Sequence, residues 1–79
     1  MLTEEQTQDK LKSIGYYKEF TVVFTKKDGT ERKITGFMEA PEGEPKQSTA
    51  VPMKVTQGEA SGQWRSFKLD SVLEITADV

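Results

Sequence analysis

The sequence predicts a mainly β protein in which five short strands form a small barrel behind a short N-terminal α-helix. Three observations lead to this fold class: a length of 79 residues, which suffices for one domain; an apolar pattern that changes from helical spacing to alternation; and five alternating segments separated by turn residues. Rolling such strands into a barrel buries one apolar face and removes exposed edges. We therefore expect one domain over residues 1–79, with a helix at about 3–14, a barrel at about 19–76 and a mobile loop at about 40–50.

The N-terminal helix is predicted from its capping signals. Thr3 and Gln6 have the spacing of a capping box, and Gly15 is suited to end the helix. Within the helix the large apolar residues are Leu11 and Ile14. We therefore expect the helix to contact the barrel through its C-terminal turn alone.

The first two strands form a predicted hairpin around residues 27–30, which read Lys-Asp-Gly-Thr. A two-residue turn would mix apolar and polar residues on each face, whereas a three-residue turn with Gly29 left-handed pairs Val22 with Ile34. We favour the three-residue turn, and Gly36 in the second strand then marks a sharp bend. The inner face of this hairpin would hold Phe20, Val22, Phe24, Ile34, Gly36 and Met38.

The rest of the chain contains three more predicted strands. The third runs through residues 51–55, and Pro52 should place its start at a sheet edge because proline cannot donate a ladder hydrogen bond. The fourth runs over residues 64–69, and a tight turn at residues 70–71 leads into a fifth at residues 72–75. The predicted core consists of Phe20, Val22, Phe24, Ile34, Phe67, Leu69, Val72 and Ile75.

Aligning the apolar faces of the third and fourth strands predicts their register. The opposed residues would be Met53 with Leu69, Val55 with Phe67, and Lys54 with Lys68. Trp64 would point to the same outer face as the two lysines. Like charges directly opposite each other are mildly destabilising, so the lysine pair suggests an anionic group between them.

Composition argues against an enzyme. The chain has no histidine and no cysteine, which removes the usual general base near neutral pH, thiol nucleophiles and zinc–thiolate sites. Glu42 and Glu44 lie in a polar segment where we expect solvated carboxylates, so we predict no metal site and no cofactor. No apolar run approaches the roughly 20 residues that span a bilayer, and the polar N-terminus is unlike a signal peptide.

Charge argues against a protein that coats nucleic acid, because the net charge is −2 from 11 basic and 13 acidic residues. The distribution is uneven, however. Residues 18–37 carry five basic and three acidic residues, a local balance of +2. The basic residues clustered about the first hairpin are Lys26, Lys27, Arg32 and Lys33.

The residues predicted to bind a partner are Tyr17, Arg32, Lys33, Lys54, Trp64, Arg65 and Lys68. An outward Trp64 can anchor an interface or stack on a base, and Arg65 would lie at the barrel rim. The alternative for Trp64 is that it covers one end of the barrel or packs under the helix near Tyr16 and Tyr17. The alternative for the basic residues is edge protection or solubility.

Two stretches, FTKKDGTERK at residues 24–33 and WRSFKLDSV at residues 64–72, resemble a family of small bacteriophage proteins classed as WYL-like domains with an Sm-like, SH3-like β-barrel fold. Larger WYL domains carry an aromatic–basic–Leu–Asp–x–aliphatic run, which is matched here by Phe67, Lys68, Leu69, Asp70 and Val72. The Trp-Tyr-Leu triplet of those larger domains is absent, so their ligand-binding role carries over only loosely. The resemblance covers about residues 19–75 and implies a phage-encoded barrel of a kind that binds nucleic acid, small ligands or proteins.

Three functions follow as hypotheses. We prefer a non-enzymatic phage accessory protein that binds and modulates a bacterial host protein, in host takeover or anti-defence, within the cytoplasm of the infected cell. The first alternative is an RNA- or DNA-binding module that uses the basic residues and Trp64. The second alternative is a structural subunit or a homo-oligomer, since Sm-like folds often assemble.

Overall fold

The computed structural model describes residues 1–40 and 50–77. The elements in chain order are α1 (Glu4–Ile14), β1 (Phe20–Thr25), β2 (Glu31–Phe37), β3 (Ala50–Val55), β4 (Trp64–Lys68), a single 3₁₀ turn (Leu69–Ser71) and β5 (Val72–Ala77). The loop predicted at about 40–50 falls almost entirely on residues 41–49, which lie outside the described part of the chain. No helix within the described ranges is long and apolar enough to cross a membrane.

The five strands form one antiparallel sheet in the order β4-β3-β2-β1-β5. This confirms the predicted mainly β class with an N-terminal helix. The sheet curls strongly, because Phe24 in β1 and Phe67 in β4 have ring centroids only 6.0 Å apart. In a flat sheet these strands would be about 14 Å apart. The predicted closed barrel is not formed, however, since the edge strands β4 and β5 make no ladder with each other within residues 50–77.

Helix α1 begins with the predicted capping box. The Thr3 hydroxyl accepts a hydrogen bond from the Gln6 backbone N–H at 3.0 Å, and the Gln6 side chain accepts one from the Thr3 backbone N–H at 3.0 Å. The prediction that only the last turn contacts the sheet is wrong. Thr7 is fully buried, which is possible because its hydroxyl donates to the Thr3 carbonyl oxygen at 2.9 Å. The Leu2 backbone N–H also donates to the Val72 carbonyl oxygen at 2.9 Å, so the start of the helix is attached as well.

The β1–β2 hairpin has the predicted register and turn. Val22 pairs with Ile34, and Gly29 is left-handed with φ of 86°. The Asp28 carboxylate accepts hydrogen bonds from the Thr30 backbone N–H at 3.0 Å and from its hydroxyl at 2.6 Å. The side chains predicted for the inner face are all buried, and so is Gly36.

The β2–β3 ladder is short. Gly36 pairs with Val55 and Phe37 pairs with Lys54. The first residues of β3 are therefore paired on one side only, by β4, within the described structure. Pro52 lies in this one-sided part of the strand, as predicted from its missing N–H.

The predicted β3–β4 register is wrong. Met53 lies opposite Arg65 and not opposite Leu69, a displacement of four residues, and Val51, not Val55, lies opposite Phe67. Lys54 consequently faces Trp64, and Lys68 faces Ala50. The lysine pair that suggested an anion between the strands does not exist. Because the displacement is an even number of residues, the inner and outer faces are still those predicted.

The loop between β3 and β4 explains this register. The Val55 N–H donates to the Gln63 carbonyl oxygen at 2.9 Å, and the Gly62 N–H donates to the Val55 carbonyl oxygen at 2.8 Å. Gly58 and Gly62 are both left-handed, with φ of 86°. These two glycines close the hairpin at Val55 and Gln63, and the pairing of the two strands follows from that closure.

The core lies between the concave face of the sheet and α1. Every predicted core residue is buried except Ile75, which is half-buried. Ile75 lies opposite Val22 on the edge strand β5 and packs against the core without being fully buried. Within residues 1–40 and 50–77 the buried apolar residues are Leu11, Ile14, Phe20, Val22, Phe24, Ile34, Met38, Met53, Val55, Phe67, Leu69 and Val72.

Candidate functional site

The predicted partner-binding residues separate into two surfaces. On the outer, convex face of the sheet lie Tyr17, Lys33, Lys54 and Trp64. At the open end of the rolled sheet, one cleft brings together Arg32, Arg65 and Lys68. Lys68 lies opposite Ala50 on the same face of β4 as Trp64, and it lines the cleft at the edge of the sheet, where β4 is the outermost strand.

The first surface is a row of side chains across three strands. Trp64 in β4 lies opposite Lys54 in β3, and Lys54 lies opposite Phe37 in β2. The Tyr17 ring extends this row, with its centroid 6.2 Å from that of Phe37. With strands about 4.8 Å apart, the backbones at Trp64 and Phe37 are about 10 Å apart. We call Tyr17, Phe37, Lys54 and Trp64 the aromatic row.

Tyr17 reaches the aromatic row through an unusual backbone conformation. It is left-handed, with φ of 61°, which costs a non-glycine residue about 1–2 kcal/mol. The Tyr17 N–H donates to the Met38 carbonyl oxygen at 2.8 Å, a hydrogen bond that fixes this segment beside the end of β2. This main-chain hydrogen bond therefore helps to hold the Tyr17 side chain beside Phe37.

The aromatic row is open to solvent. Trp64 is 48% exposed and Tyr17 is 64% exposed, while Phe37 is half-buried beneath them. Trp64 accordingly does not pack under α1, which was one of the two alternatives to an outward position. The other alternative, that it covers one end of the barrel, does not apply because the barrel is not closed. The half-buried Lys54 has an aromatic residue opposite it on each neighbouring strand, where its aliphatic stem can cover apolar surface.

Phe37 was not among the predicted partner-binding residues. The signal for it was present in the alternation of β2, because Gly36 and Met38 were both predicted to face inward. The residue between them must then face outward. Its proximity to Trp64 depended on the true β3–β4 register and was not available from the sequence.

The second surface is a cleft of about 320 Å³ between the β1–β2 hairpin and β4. Its floor is apolar, formed by Phe24, Ile34 and Phe67. Its rim carries five basic side chains, which are Lys26, Lys27, Arg32, Arg65 and Lys68. Among the described residues no carboxylate lines it. We call this the cationic cleft.

Arg65 is the second residue of β4 and lines the cationic cleft. It is half-buried, and it lies on the inner face of the sheet because it is opposite Met53. Its guanidinium donates to the Trp64 carbonyl oxygen at 3.0 Å and to the side-chain oxygen of Gln63. These bonds orient the group while other N–H donors remain, since a guanidinium has five.

The β1–β2 hairpin beside the cleft also contains the Asp28 carboxylate, which accepts two hydrogen bonds from Thr30. The hydroxyl of Thr30, followed by its backbone N–H, holds the pKa of Asp28 below its ordinary value of 3.8, and the charge of Lys26 contributes less. Asp28 is therefore ionised at neutral pH and partly offsets the charge of Lys26. It lies at the turn and does not line the cleft.

Lys33 shares the outer face of the sheet with the aromatic row but is not part of that row. It lies on the outer face opposite Val23, and Glu74 lies on the far side of the same valine. Arg32, its neighbour in the chain, lies opposite Phe24 and lines the cationic cleft. The two adjacent cations therefore point to opposite faces of β2.

The residues in the described ranges contain no group of three or more acidic, histidine or cysteine side chains that could hold a metal ion.

The chain matches no protein-family model, no curated protein and no solved structure at significant similarity.

Proposed function

We propose that this protein is a non-enzymatic binding protein that attaches to a partner protein through the aromatic row. The observation that carries the proposal is the placement of Trp64 and Tyr17, two exposed aromatic side chains, at the ends of one continuous row on a sheet. Tryptophan and tyrosine dominate the binding energy of protein interfaces, and they do so best when rigidly presented. An exposed apolar row rimmed by polar residues is typical of such interfaces.

Two further observations favour protein over nucleic acid as the partner of the aromatic row. The row contains one cation, Lys54, whereas affinity for nucleic acid comes from several cations that neutralise phosphates. The net charge of −2 also opposes association with a polyanion.

The nature of the partner is proposed from the resemblance to small bacteriophage proteins. A phage-encoded binding protein acts in the cytoplasm of the infected bacterium, where its partner is a host protein. Binding would modulate that protein, for example by blocking a defence or regulatory factor.

The test is a pull-down from bacterial lysate with the tagged protein, with and without nuclease, followed by mass spectrometry. We expect one host protein to be recovered under both conditions. The affinity of the purified partner is then measured for the wild type and for Trp64→Ala, which should weaken binding by about 30-fold, the equivalent of about 2 kcal/mol.

Tyr16→Ala is the matched control, because Tyr16 is 52% exposed but lines a groove with Leu11 and Met38 beside α1. It should change the affinity by less than about threefold. Recovery of nucleic acid alone, or an unchanged affinity for Trp64→Ala, would overturn the proposal.

A second candidate function is RNA or DNA binding, which the cationic cleft favours. Five basic side chains in one concave site suit phosphate groups. This function predicts that single-stranded oligonucleotides bind and that their affinity falls steeply between about 50 mM and about 200 mM salt. Fluorescence anisotropy with labelled oligonucleotides measures this directly.

A further inference from the structure

We propose that the cationic cleft binds an acidic segment of the partner protein, with one apolar side chain on the cleft floor and carboxylates on either side at the rim. This inference rests on the proposed protein-binding function and extends it to a second contact. It commits to the chemistry of the segment: a central leucine-like residue flanked by aspartate or glutamate.

The floor of the cleft accounts for the apolar residue. Phe24, Ile34 and Phe67 line it, and the two phenylalanine rings pack against each other with an interplanar angle of 30°. A volume of about 320 Å³ admits one or two side chains and no folded element. An apolar side chain placed there leaves no polar group unpaired.

The rim accounts for the flanking carboxylates. Lys26, Lys27 and Arg32 come from the β1–β2 hairpin, and Arg65 and Lys68 come from β4. Cations therefore stand on two sides of the apolar floor. Guanidinium groups bind carboxylates through two parallel hydrogen bonds, and Arg65 is already oriented by Gln63.

The floor also distinguishes a protein segment from a nucleic acid. Binding of single strands combines backbone cations with aromatic rings on which bases stack. Phe24 and Phe67 are only 8% and 2% exposed, so neither ring offers a free face to a base. A small apolar side chain above them would be held mainly by the aliphatic stems of the lysine and arginine residues that line the same cleft. The cleft thus has the positive charge that attracts both phosphate and carboxylate, but it lacks a stacking platform.

The cleft is continuous with the aromatic row through β4. Trp64 and Arg65 are consecutive residues whose side chains lie on opposite faces of the sheet, and β4 is an edge strand. A partner that covers the aromatic row can therefore pass around this edge and reach the cleft with an adjoining acidic segment.

The experiment uses a fluorescein-labelled pentapeptide, Glu-Glu-Leu-Glu-Glu, titrated with the whole protein and followed by fluorescence anisotropy. Two control peptides replace the central leucine by serine or the glutamates by glutamines. We expect each control peptide to bind at least about fivefold more weakly, because each loses one of the two contacts. Binding that does not depend on the leucine would overturn the proposed floor contact.

The matched protein variants are Arg32→Gln and Lys33→Gln, which remove the same charge at adjacent positions on opposite faces of β2. Arg32→Gln should weaken peptide binding at least about tenfold, and Lys33→Gln less than about twofold. Equal weakening by both variants would mean general electrostatic attraction and would overturn the site. Amide chemical shifts should move at Phe67 and Lys68 on titration; an absence of binding and of shifts would also overturn it.

A single-stranded oligonucleotide of equal charge is titrated in parallel. If it competes for the cleft and binds more tightly than the peptide, the partner class is nucleic acid and the inference is wrong.

The inference and the proposed function can fail separately. Trp64→Ala should weaken binding of the host partner but leave the affinity for the peptide unchanged. If the peptide does not bind while Trp64→Ala still weakens binding of the host partner, the cleft inference fails and the proposed function stands.

Discussion

Gly36 and Lys54 lie in adjacent strands with their backbones in such close contact that no side chain fits at position 36. A Cβ built on Gly36 would lie 2.8 Å from the carbonyl carbon of Lys54 and 3.0 Å from the Cα of Val55. Real Cβ atoms essentially never approach other atoms under 3.0 Å. The glycine therefore allows β2 and β3 to meet where the sheet curls, and it sets the position of Lys54 in the aromatic row.

We predict that Gly36→Ala destabilises the protein by about 1–3 kcal/mol, because the backbones of β2 and β3 must separate to admit the methyl group. Urea unfolding followed by circular dichroism measures the change. Gly29 is the contrasting position, since a Cβ there meets open space but its φ of 86° is strained for other residues. Asparagine tolerates that conformation, so Gly29→Asn should cost less than Gly29→Ala, whereas Gly36→Asn should cost more than Gly36→Ala.

Truncating a core side chain to alanine should lower the free energy of unfolding more at the centre of the core than at its edge. Phe67→Ala should destabilise by about 3–5 kcal/mol, because the side chain is almost fully buried and packs against Phe24. Ile75→Ala should cost less than about 2 kcal/mol, because Ile75 is only half-buried on an edge strand. Chemical denaturation of both variants gives the comparison, and equal losses would contradict the burial of the two side chains.

The capping box of α1 should contribute to global stability because the helix is attached at both ends. Thr3→Ala removes the acceptor for the Gln6 N–H and should destabilise by about 1 kcal/mol. Ser13→Ala serves as the control, since its exposed hydroxyl only donates back to the Asp9 carbonyl oxygen within the helix. Ser13→Ala should not destabilise, because alanine is the better helix former. A similar loss in both variants, measured by thermal unfolding, would contradict a specific contribution of the cap.

Asp28 should make the hairpin turn sensitive to acid. Its pKa is lowered in the folded state, chiefly by the Thr30 hydroxyl, so the folded protein binds this proton less readily than the unfolded chain does. The stabilisation is therefore complete above the ordinary value of 3.8 and is lost as the pH falls through the lowered pKa. The stability difference between the wild type and Asp28→Asn should be larger at about pH 7 than at about pH 2. Denaturant titrations at the two pH values check this, and a difference that grows in acid would contradict the sign.

Alternation was a reliable guide to the faces of the strands and a poor guide to their pairing. The β1–β2 register could be predicted because the Asp-Gly turn is short and allows few loop lengths. The β3–β4 register could not, because every even displacement keeps Met53 and Phe67 on the inner face. Hydrogen bonds of Val55 with Gly62 and Gln63 decided among these registers. The predicted Lys54–Lys68 pair was lost with that decision.

The sequence by itself determined the strand-rich class, the helix cap, the bulged first turn and the division of side chains between an apolar and a polar face. Each of these depends on residues within a few positions of one another. Only the tertiary structure decided that Arg32, Arg65 and Lys68 share one cleft and that Phe37 lies near Trp64. These groupings depend on how far the sheet curls and on which residues face each other across strands. Both are set by packing between segments that are distant in the chain, which no local pattern encodes.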